Sequence, residues 1–345
     1  GTDHVGDGIG VHLRQVSETH QSVSTAGRRQ QVNEKINIVF ACDSNYAQHA
    51  TVAMMSILKN TADPARIVFY LLDDQIDAAV KEKIQASIEQ AHAAIHFCEI
   101  EADRFEKFFV SGQLSRAAYF RLEMGHLLPS SVDKVIYLDC DLLVLDDITE
   151  LWDYDMNHHP LAAIMDLGIM ASSKDWHGKQ EQLGFSEDDI YFNSGVLVVD
   201  LKAWREHDYG RQAEQLAERN NYRHHDQDAL NQLFHRDWQP VPLRWNVIPP
   251  VWYLFLKILK RRDFRRMAIE ARKHISILHY AGGYKPWEYE VYTAFNAKYY
   301  EYLRQTEFRS MKMPQPDPRR KGRSIVRQLR RLKLADFWQR FFTVV

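Results

Sequence analysis

The feature that most constrains this chain is a series of short apolar runs that alternate with segments of helical periodicity. The first run covers residues 36–41, and apolar residues then recur at helical spacing over residues 50–58. Further apolar runs cover residues 67–72, 95–100, 135–138, 161–165 and 195–199. Strands that alternate with helices predict an α/β fold, with a mostly parallel sheet and helices on both of its faces.

Three of the predicted strand ends carry an aspartate. Asp43, Asp139 and Asp166 lie at or just past the ends of their runs. In open α/β sheets, ligands collect outside the carboxyl ends of the strands. Aspartate is also a common turn former, so each of these residues taken alone indicates only a turn.

Charge, cysteine content and hydropathy narrow the classes of protein to consider. The net charge of −2 is uneven, because residues 311–345 carry ten Lys/Arg and two Asp, a net of +8, which leaves −10 for the rest. An acidic body with a basic tail is not typical of a nucleic-acid-binding domain, so we expect no nucleic-acid partner. The three cysteines fit neither a disulfide framework nor a zinc motif, which favours a reducing compartment. No run approaches the roughly 18 apolar residues of a membrane-spanning helix, and no secretory signal is visible.

The composition predicts three segments. Residues 1–31 are polar and are predicted to be a disordered extension, residues 32–312 to be the catalytic domain, and residues 313–345 to be a Pro-spaced linker and a basic tail. Apolar residues recur at helical spacing among the arginines of the tail, which favours a basic amphipathic helix on an anionic membrane surface. A helix that packs on the body of the protein is the alternative. The membrane interpretation predicts a cytoplasmic protein that is peripheral on the inner face of the cytoplasmic membrane.

An Asp-x-Asp motif follows the apolar run at 135–138. Asp139 and Asp141 flank Cys140 there. Carboxylates are the expected ligands of Mg²⁺ or Mn²⁺, and such a cation neutralises the departing diphosphate of a nucleotide sugar as a Lewis acid. The motif is common by chance, so an acidic turn remains an alternative.

A second chemically suggestive segment lies at residues 278–287. His279 follows a strand-like run and is a candidate third metal ligand, which would tilt the choice toward Mn²⁺. Gly282 lets backbone approach a phosphate, and Lys285 supplies a point charge for it. A hydrogen-bonded core histidine is the alternative for His279.

Six segments, in this order along the chain, resemble glycosyltransferase family 8, the family of glycogenin and of the bacterial lipopolysaccharide galactosyl- and glucosyltransferases. They are residues 40–46, 119–122, 137–141, 191–196, 225–231 and 279–287. The bacterial branch is the more similar. The resemblance implies a GT-A fold with a Rossmann-like nucleotide-binding sheet, a UDP-sugar donor and retention of anomeric configuration.

The resemblance also implies roles for the residues that bind the donor nucleotide. The uridine is expected to contact Ala41, Asp43, Asn45 and Tyr46, with Tyr46 stacked on the base. Stacking and edge hydrogen bonds require these residue types. Packing at a helix start is the alternative for Tyr46.

A second set of residues is expected to bind the diphosphate and its metal ion. Asp139, Asp141 and His279 are expected to bind Mn²⁺ (or Mg²⁺) together with the diphosphate. Cys140 belongs to this cofactor-binding segment, but we expect it to act as a buried small hydrophobe. The residues assigned to the diphosphate itself are Gly282 and Lys285.

The transferred sugar is expected to lie among Arg121, Asp166, Asn193, Asp226 and Gln227. A structural ion pair is the alternative for Arg121 and Asp166. Asp226 and Gln227 are the catalytic candidates, but an amide is a poor nucleophile. We therefore favour same-face attack, in which Gln227 stabilises positive charge on the sugar, over a covalent intermediate.

The predicted function is transfer of galactose or glucose from UDP-galactose or UDP-glucose to a saccharide or glycolipid acceptor, in lipopolysaccharide or surface glycan synthesis. Two loops, at about 168–189 and 247–272, are expected to cover the donor and exclude water. Residues 246–270 are predicted to be loop and helix rather than sheet, and residues 249–253 to form either part of an acceptor platform or a packed lid. Three further functions stay open: a glycogenin-like or protein-glycosylating transferase, a sugar-nucleotide hydrolase or pyrophosphorylase, and a non-catalytic glycan-binding module.

Overall fold

The computed structural model describes residues 34–100, 117–220, 222–283, 285–288 and 294–310. The predictions for residues 1–31 and for the tail at 313–345 lie outside these described residues. Within the described part of the chain, no helix has the length and apolar character needed to cross a membrane.

Nine strands form two sheets within the described residues. In chain order they are β1 (Ile36–Asp43), β2 (Ile67–Asp74), β3 (Ala94–Glu99), β4 (Lys134–Leu138), β5 (Leu142–Val144), β6 (Leu161–Met165), β7 (Phe192–Asp200), β8 (Gln239–Pro240) and β9 (Ile277–His279). The main sheet has the order β3-β2-β1-β4-β7-β6-β8, and β5 pairs with β9 in a separate small sheet.

Helices cover the main sheet. They are α1 (Ala47–Asn60), α2 (Ala78–Glu89), α3 (Ala117–Phe120), α4 (Met124–Leu127), α5 (Thr149–Trp152), α6 (Leu167–Met170), α7 (Ser173–Leu183), α8 (Leu201–Glu206), α9 (Tyr209–Arg219), α10 (His225–Leu233), α11 (Pro249–Trp252), α12 (Leu256–Leu259), α13 (Arg262–Lys273) and α14 (Ala294–Leu303). Short 3₁₀ turns lie at Pro64–Arg66, Arg121–Glu123 and Leu243–Trp245. All five residues of β6 are buried, as expected for a sheet that is covered on both faces. The predicted α/β class is confirmed.

Strand β7 is antiparallel to both of its neighbours, β4 and β6. Its first residues therefore lie at the edge of the sheet where β4 and β6 end. The register pairs Leu138 with Val196, and the backbone N–H of Asp139 donates to the carbonyl of Gly195 at 2.9 Å. The start of β7 thus lies beside the Asp-x-Asp motif.

The small sheet brings His279 to the same place. Leu142 of β5 pairs with His279 of β9, and the backbone N–H of Tyr280 donates to the carbonyl of Asp141 at 2.7 Å. The strand-like run before His279, residues 275–278 of the sequence, pairs with β5 only from Ile277, and the pairing includes His279 itself.

The segment at 168–189, which was predicted as a loop, contains helices α6 and α7 instead, whereas the segment at 247–272 combines loop and helix as predicted. In the first segment, Ser172 caps the start of α7 by accepting the N–H of Asp175, and Gly184 ends the helix with φ of 72°. In the second segment lie α11, α12 and α13. Val251 and Trp252 are buried there, which favours a packed cover over an exposed acceptor platform.

Candidate active site

The end of β1 forms a self-contained turn. Asp43 Oδ1 accepts the backbone N–H groups of Asn45 and Tyr46, each at 3.0 Å, and Asp43 Oδ2 accepts from Asn45 Nδ2 at 3.1 Å. A carboxylate that bonds the backbone two and three residues ahead is a local turn device. It holds Tyr46 at the start of α1, so the packing expected there is present.

An aromatic cluster connects this turn to the segment that follows His279. The ring of Tyr46 makes edge contacts with His49 and Trp287, at centroid distances of 5.5 Å and 6.3 Å. Trp287 stacks on His49 at 3.6 Å. Burial lowers the pKa of His49 to about 3, so this imidazole is neutral at physiological pH.

Ala41 and Cys140 meet beneath the site. The Cys140 thiol donates to the Ala41 carbonyl at 3.2 Å, and both residues are buried. A hydrogen bond with Cys42 and burial raise the pKa of the Cys140 thiol well above its ordinary value. The thiol therefore stays protonated, as expected of a small buried side chain between the two aspartates.

Asp139, Asp141 and His279 converge at the edge of the sheet, and one ligand atom from each lies within 4.8 Å of the others. His279 Nε2 is 3.1 Å from Asp141 Oδ1 and 3.8 Å from Asp139 Oδ2. Gly195 makes this convergence possible. A Cβ atom there would lie 2.5 Å from His279 Cε1 and 2.6 Å from Asp139 Oδ2.

Hydrogen bonds fix the tautomer of His279. The N–H of Gly195 donates to Asn193 at 3.0 Å, so the accepting Asn193 atom is its oxygen, which also accepts Asn246 Nδ2 at 2.8 Å. The remaining Asn246 oxygen lies 2.8 Å from His279 Nδ1, which must therefore carry a proton. Nε2 is then the ring nitrogen that faces the carboxylates of Asp139 and Asp141.

This donor set fits a divalent cation. Two carboxylates and one imidazole suit Mn²⁺ or Mg²⁺, and a hydrogen bond to the second ring nitrogen is typical of metal-binding histidines. Sequence reasoning missed Asn246. The available signal was a lone amide among the apolar residues of 243–251, which does not identify its partner.

Lys285 lies against the same carboxylates. Its ammonium contacts Asp141 Oδ2 and donates to the Tyr280 carbonyl at 2.8 Å. Burial opposes ionisation of Asp141, but Lys285 and His279 outweigh it and lower the pKa of that carboxyl. Gly282 has φ of 84°, a conformation that favours glycine, and so turns the chain between His279 and Lys285.

Arg121 joins the Asp-x-Asp motif to helix α10. Its guanidinium is 2.9 Å from Asp139 Oδ1 and 2.9 Å from Asp226 Oδ2, and it donates to the Ser194 carbonyl at 2.5 Å. Arg121 is therefore in ion pairs, whereas Asp166 accepts from amide groups. Burial raises the pKa of Asp226 to about 6, although Arg121 acts to lower it.

The side-chain amide of Gln227 is surrounded by partners. Its oxygen accepts the Ser194 N–H at 3.0 Å and Asn193 Nδ2 at 3.1 Å. Its nitrogen donates to Tyr191 Oη at 3.1 Å and to Asp166 Oδ2 at 3.3 Å. The structure thus brings together the polar residues that were predicted to surround the sugar, and adds Tyr191 and Ser194 to them.

A Rossmann-like sheet with acidic and imidazole donors at one edge is the arrangement expected of a glycosyltransferase of the GT-A fold. The chain belongs to glycosyl transferase family 8, whose family model matches residues 37–291. The resemblance seen in the sequence and the predicted fold are both confirmed.

Individual relatives agree with this assignment. General stress protein A of Bacillus subtilis is 28% identical over 289 residues, which cover 82% of this chain and 98% of the relative. Lipopolysaccharide 1,2-glucosyltransferase of Escherichia coli is 28% identical over 273 residues, which cover 78% of this chain and 77% of the relative. The crystal structure of the galactosyltransferase LgtC with donor and acceptor sugar analogs superposes with a TM-score of 0.69 and 29% identity, and the match covers 79% of this chain and 96% of LgtC.

Proposed function

We propose that this protein is a retaining glycosyltransferase that moves a hexose, galactose or glucose, from a UDP-sugar to a saccharide acceptor. The observation that carries the proposal is the convergence of Asp139, Asp141 and Nε2 of His279 at the ligand-binding edge of the sheet. Such a donor set suits the release of a diphosphate leaving group.

The donor would lie along this edge. Ala41, Asp43, Asn45 and Tyr46 would contact the uridine. Asp139, Asp141 and His279 would hold Mn²⁺ (or Mg²⁺), which when bound supplies Lewis-acid neutralisation of the diphosphate.

The neighbouring residues would complete the donor site. Lys285 already contacts a carboxylate of the proposed metal site, and it would add its charge to the diphosphate beside Gly282. Arg121 would orient Asp139 and Asp226 through its two ion pairs. Asp166 and Asn193 would orient the sugar hydroxyls.

The reacting centre favours same-face attack. Gln227 is a poor nucleophile, and both atoms of its amide already have partners. The next carboxylate along the chain, Asp228, is fully buried and paired with Lys179. The departing phosphate would then take the proton of the acceptor hydroxyl, with Asp226 and Gln227 beside the sugar.

The acceptor is proposed from the relatives. One relative is named as a lipopolysaccharide glucosyltransferase and a solved neighbour as a galactosyltransferase, which supports a lipopolysaccharide or other surface glycan as acceptor. Residues 32–312 would form the catalytic domain. The basic segment at 313–345 would attach it to the inner face of the cytoplasmic membrane.

The first test is release of UDP. The protein is incubated with a saccharide acceptor and with UDP-galactose or UDP-glucose, each with Mn²⁺ or with EDTA. We expect release from one donor, abolished by EDTA and by Asp141→Ala, and unchanged in the exposed surface variant Glu82→Ala. Absence of both UDP release and UDP binding by calorimetry would contradict the proposal and favour a glycan-binding module.

The same assay distinguishes the proposed transferase from a hydrolase and from a self-glycosylating enzyme. A sugar-nucleotide hydrolase would release UDP at the same rate with and without a saccharide acceptor. A glycogenin-like enzyme would itself gain mass in hexose steps. A transferase that acts on a separate glycan would show acceptor-dependent release and no change in its own mass.

A further inference from the structure

A buried ion pair lies directly behind the proposed reacting centre. Lys179 of α7 is 2% exposed and Asp228 of α10 is fully buried, as is Tyr191 before β7. Taking two charges out of water is costly unless their remaining hydrogen-bonding positions are filled. None of these three residues is assigned a direct contact with the donor in the proposed function, and Tyr191 joins the sugar site only through its hydrogen bond with Gln227.

The carboxylate of Asp228 is fully engaged. Lys179 Nζ lies 2.6 Å from Oδ1 and 2.5 Å from Oδ2. The Tyr191 hydroxyl donates to Oδ1 at 2.5 Å, and the backbone N–H of His224 donates to Oδ2 at 2.8 Å. Each carboxylate oxygen therefore has two donors.

These contacts determine what Tyr191 presents to Gln227. Because the Tyr191 proton is donated to Asp228, the hydroxyl oxygen faces Gln227 as an acceptor. Gln227 Nε2 donates to it at 3.1 Å. On the other side of the amide, the backbone N–H of Ser194 can only donate, so it requires the Gln227 oxygen at 3.0 Å.

Only one orientation of the Gln227 amide satisfies all of its neighbours. A flipped amide would place its oxygen against the Tyr191 oxygen and the Asp166 carboxylate, and its N–H groups against the Ser194 N–H. All of these contacts are repulsive.

We propose that Lys179, Asp228 and Tyr191 form a positioning triad that holds the amide of Gln227 in its reactive orientation at the sugar site. Lys179 bonds to both oxygens of the Asp228 carboxylate and holds it in place. Asp228 in turn orients the Tyr191 hydroxyl, and Tyr191 accepts from Gln227. The triad rests on the proposed function, since Gln227 is assigned to the reacting centre by that function. Lys179, Asp228 and Tyr191 are positioning residues, because they act on the sugar only through Gln227.

A double-mutant cycle tests the triad. Tyr191→Phe removes only the hydroxyl, and UDP release with a saccharide acceptor is measured for Tyr191→Phe, Gln227→Ala and the double variant. We expect Tyr191→Phe to lower kcat about tenfold with little change in the KM for the donor, as for a lost hydrogen bond to a reacting group. In the Gln227→Ala background, Tyr191→Phe should have no further effect, because its target is gone.

Tyr302 supplies a matched control. It is also a buried tyrosine whose hydroxyl accepts from a side-chain amide, Asn60 Nδ2, at 2.8 Å. Tyr302→Phe should leave kcat unchanged. An equal loss of kcat from Tyr191→Phe in both backgrounds would overturn the triad, since Tyr191 would then act independently of Gln227.

An NMR measurement distinguishes an incorrect triad proposal from an incorrect proposed function. The side-chain amide signal of Gln227 is assigned in the ¹⁵N spectrum by its loss in Gln227→Ala. We expect Tyr191→Phe to shift this signal and speed its hydrogen exchange, and Tyr302→Phe to leave it unchanged. An unchanged Gln227 signal in Tyr191→Phe overturns the triad, whereas a wild-type protein that releases no UDP overturns only the transferase proposal.

Discussion

The turn after β1 and the hydrogen-bonded network around Gln227 are built in opposite ways. In the β1 turn, residues 43–46, Asp43 bonds to groups two and three residues ahead. The buried network runs from Lys179 through Gln227 to His279. Its hydrogen bonds Asn193–Gln227, Lys179–Asp228 and Asn193–Asn246 join residues that are 34, 49 and 53 positions apart. The turn is a local structure, whereas the network exists only once the sheet has formed.

The two regions also differ in their access to water. Asn45 of the turn is exposed, so water can replace a lost hydrogen bond there. In the network, Asn193, Asn246 and Asp228 are buried, and a group that loses its partner stays unsatisfied. We therefore expect substitutions in the network to have large, coupled effects and substitutions in the turn to have small, separate ones.

The largest expected effect is on stability. Lys179→Met leaves the charge of Asp228 buried without its partner and should lower the free energy of unfolding by about 3–5 kcal/mol. Adding Asp228→Asn should recover most of that loss, because the pair is then neutral. Urea unfolding measures both variants. If Lys179→Met lowers the free energy of unfolding by less than about 1 kcal/mol, as for an exposed ion pair, the expected difference between the buried network and the β1 turn is contradicted.

The second largest effect is expected for Gly195→Ala. The added Cβ would displace His279 and Asp139, and a shift of this kind should lower UDP release by about 100-fold. Gly178→Ala is the control, since its Cβ meets no atom within 4 Å in helix α7. The control should retain full activity and gain slightly in stability. Equal activities of the two variants would contradict the close approach at Gly195.

The aromatic cluster beside the turn predicts a pH dependence. Burial lowers the pKa of His49 to about 3, whereas in the unfolded chain its ordinary value is 6.5. As the pH falls below 6.5, the unfolded chain binds a proton that the folded chain does not, so stability is lost, by about 2 kcal/mol at pH 5. Urea unfolding at pH 7 and pH 5 should show a smaller difference for His49→Asn than for the wild type. The same difference in both proteins would mean that His49 is not the group responsible.

The smallest effect is expected in the turn itself. Asp43→Ala removes the acceptor for two backbone N–H groups and should cost about 1 kcal/mol of stability. Its UDP affinity, measured by calorimetry, should fall about tenfold, because the turn presents Tyr46. Asp43→Asn keeps an accepting oxygen and should preserve the stability. A loss in Asp43→Ala as large as that in Lys179→Met would show that the turn is as interdependent as the network.

The sequence predicted the regions whose signals are local. Apolar runs of strand length predicted β1, β2, β4 and β6, because buried strands of a covered sheet have few polar positions. The loop expected near residues 168–189 was helical instead. The caps of its longer helix, Ser172 and Gly184, are weak signals within polar sequence.

The residues Lys179, Tyr191 and Asn246 were not predicted as part of the site. Each is of an ordinary type in an ordinary context, and its role comes from partners that are distant in sequence. Tyr191 reaches Gln227 only because β7 runs antiparallel to its neighbours. The periodicity of a strand sequence does not indicate whether the strand pairs parallel or antiparallel with its neighbours.

The sequence by itself determined the α/β class, the glycosyltransferase family and the Asp-x-Asp and histidine segments, because these depend on patterns within a few residues. Only the tertiary structure decided that His279 presents Nε2 to Asp139 and Asp141. The Gly195 N–H fixes the orientation of the Asn193 amide, and Asn193 fixes that of the Asn246 amide. The Asn246 oxygen then requires the proton of His279 on Nδ1. A tautomer is set by which donor or acceptor lies opposite each ring nitrogen, and those neighbours are brought together only by the pairing of β4 with β7 and of β5 with β9.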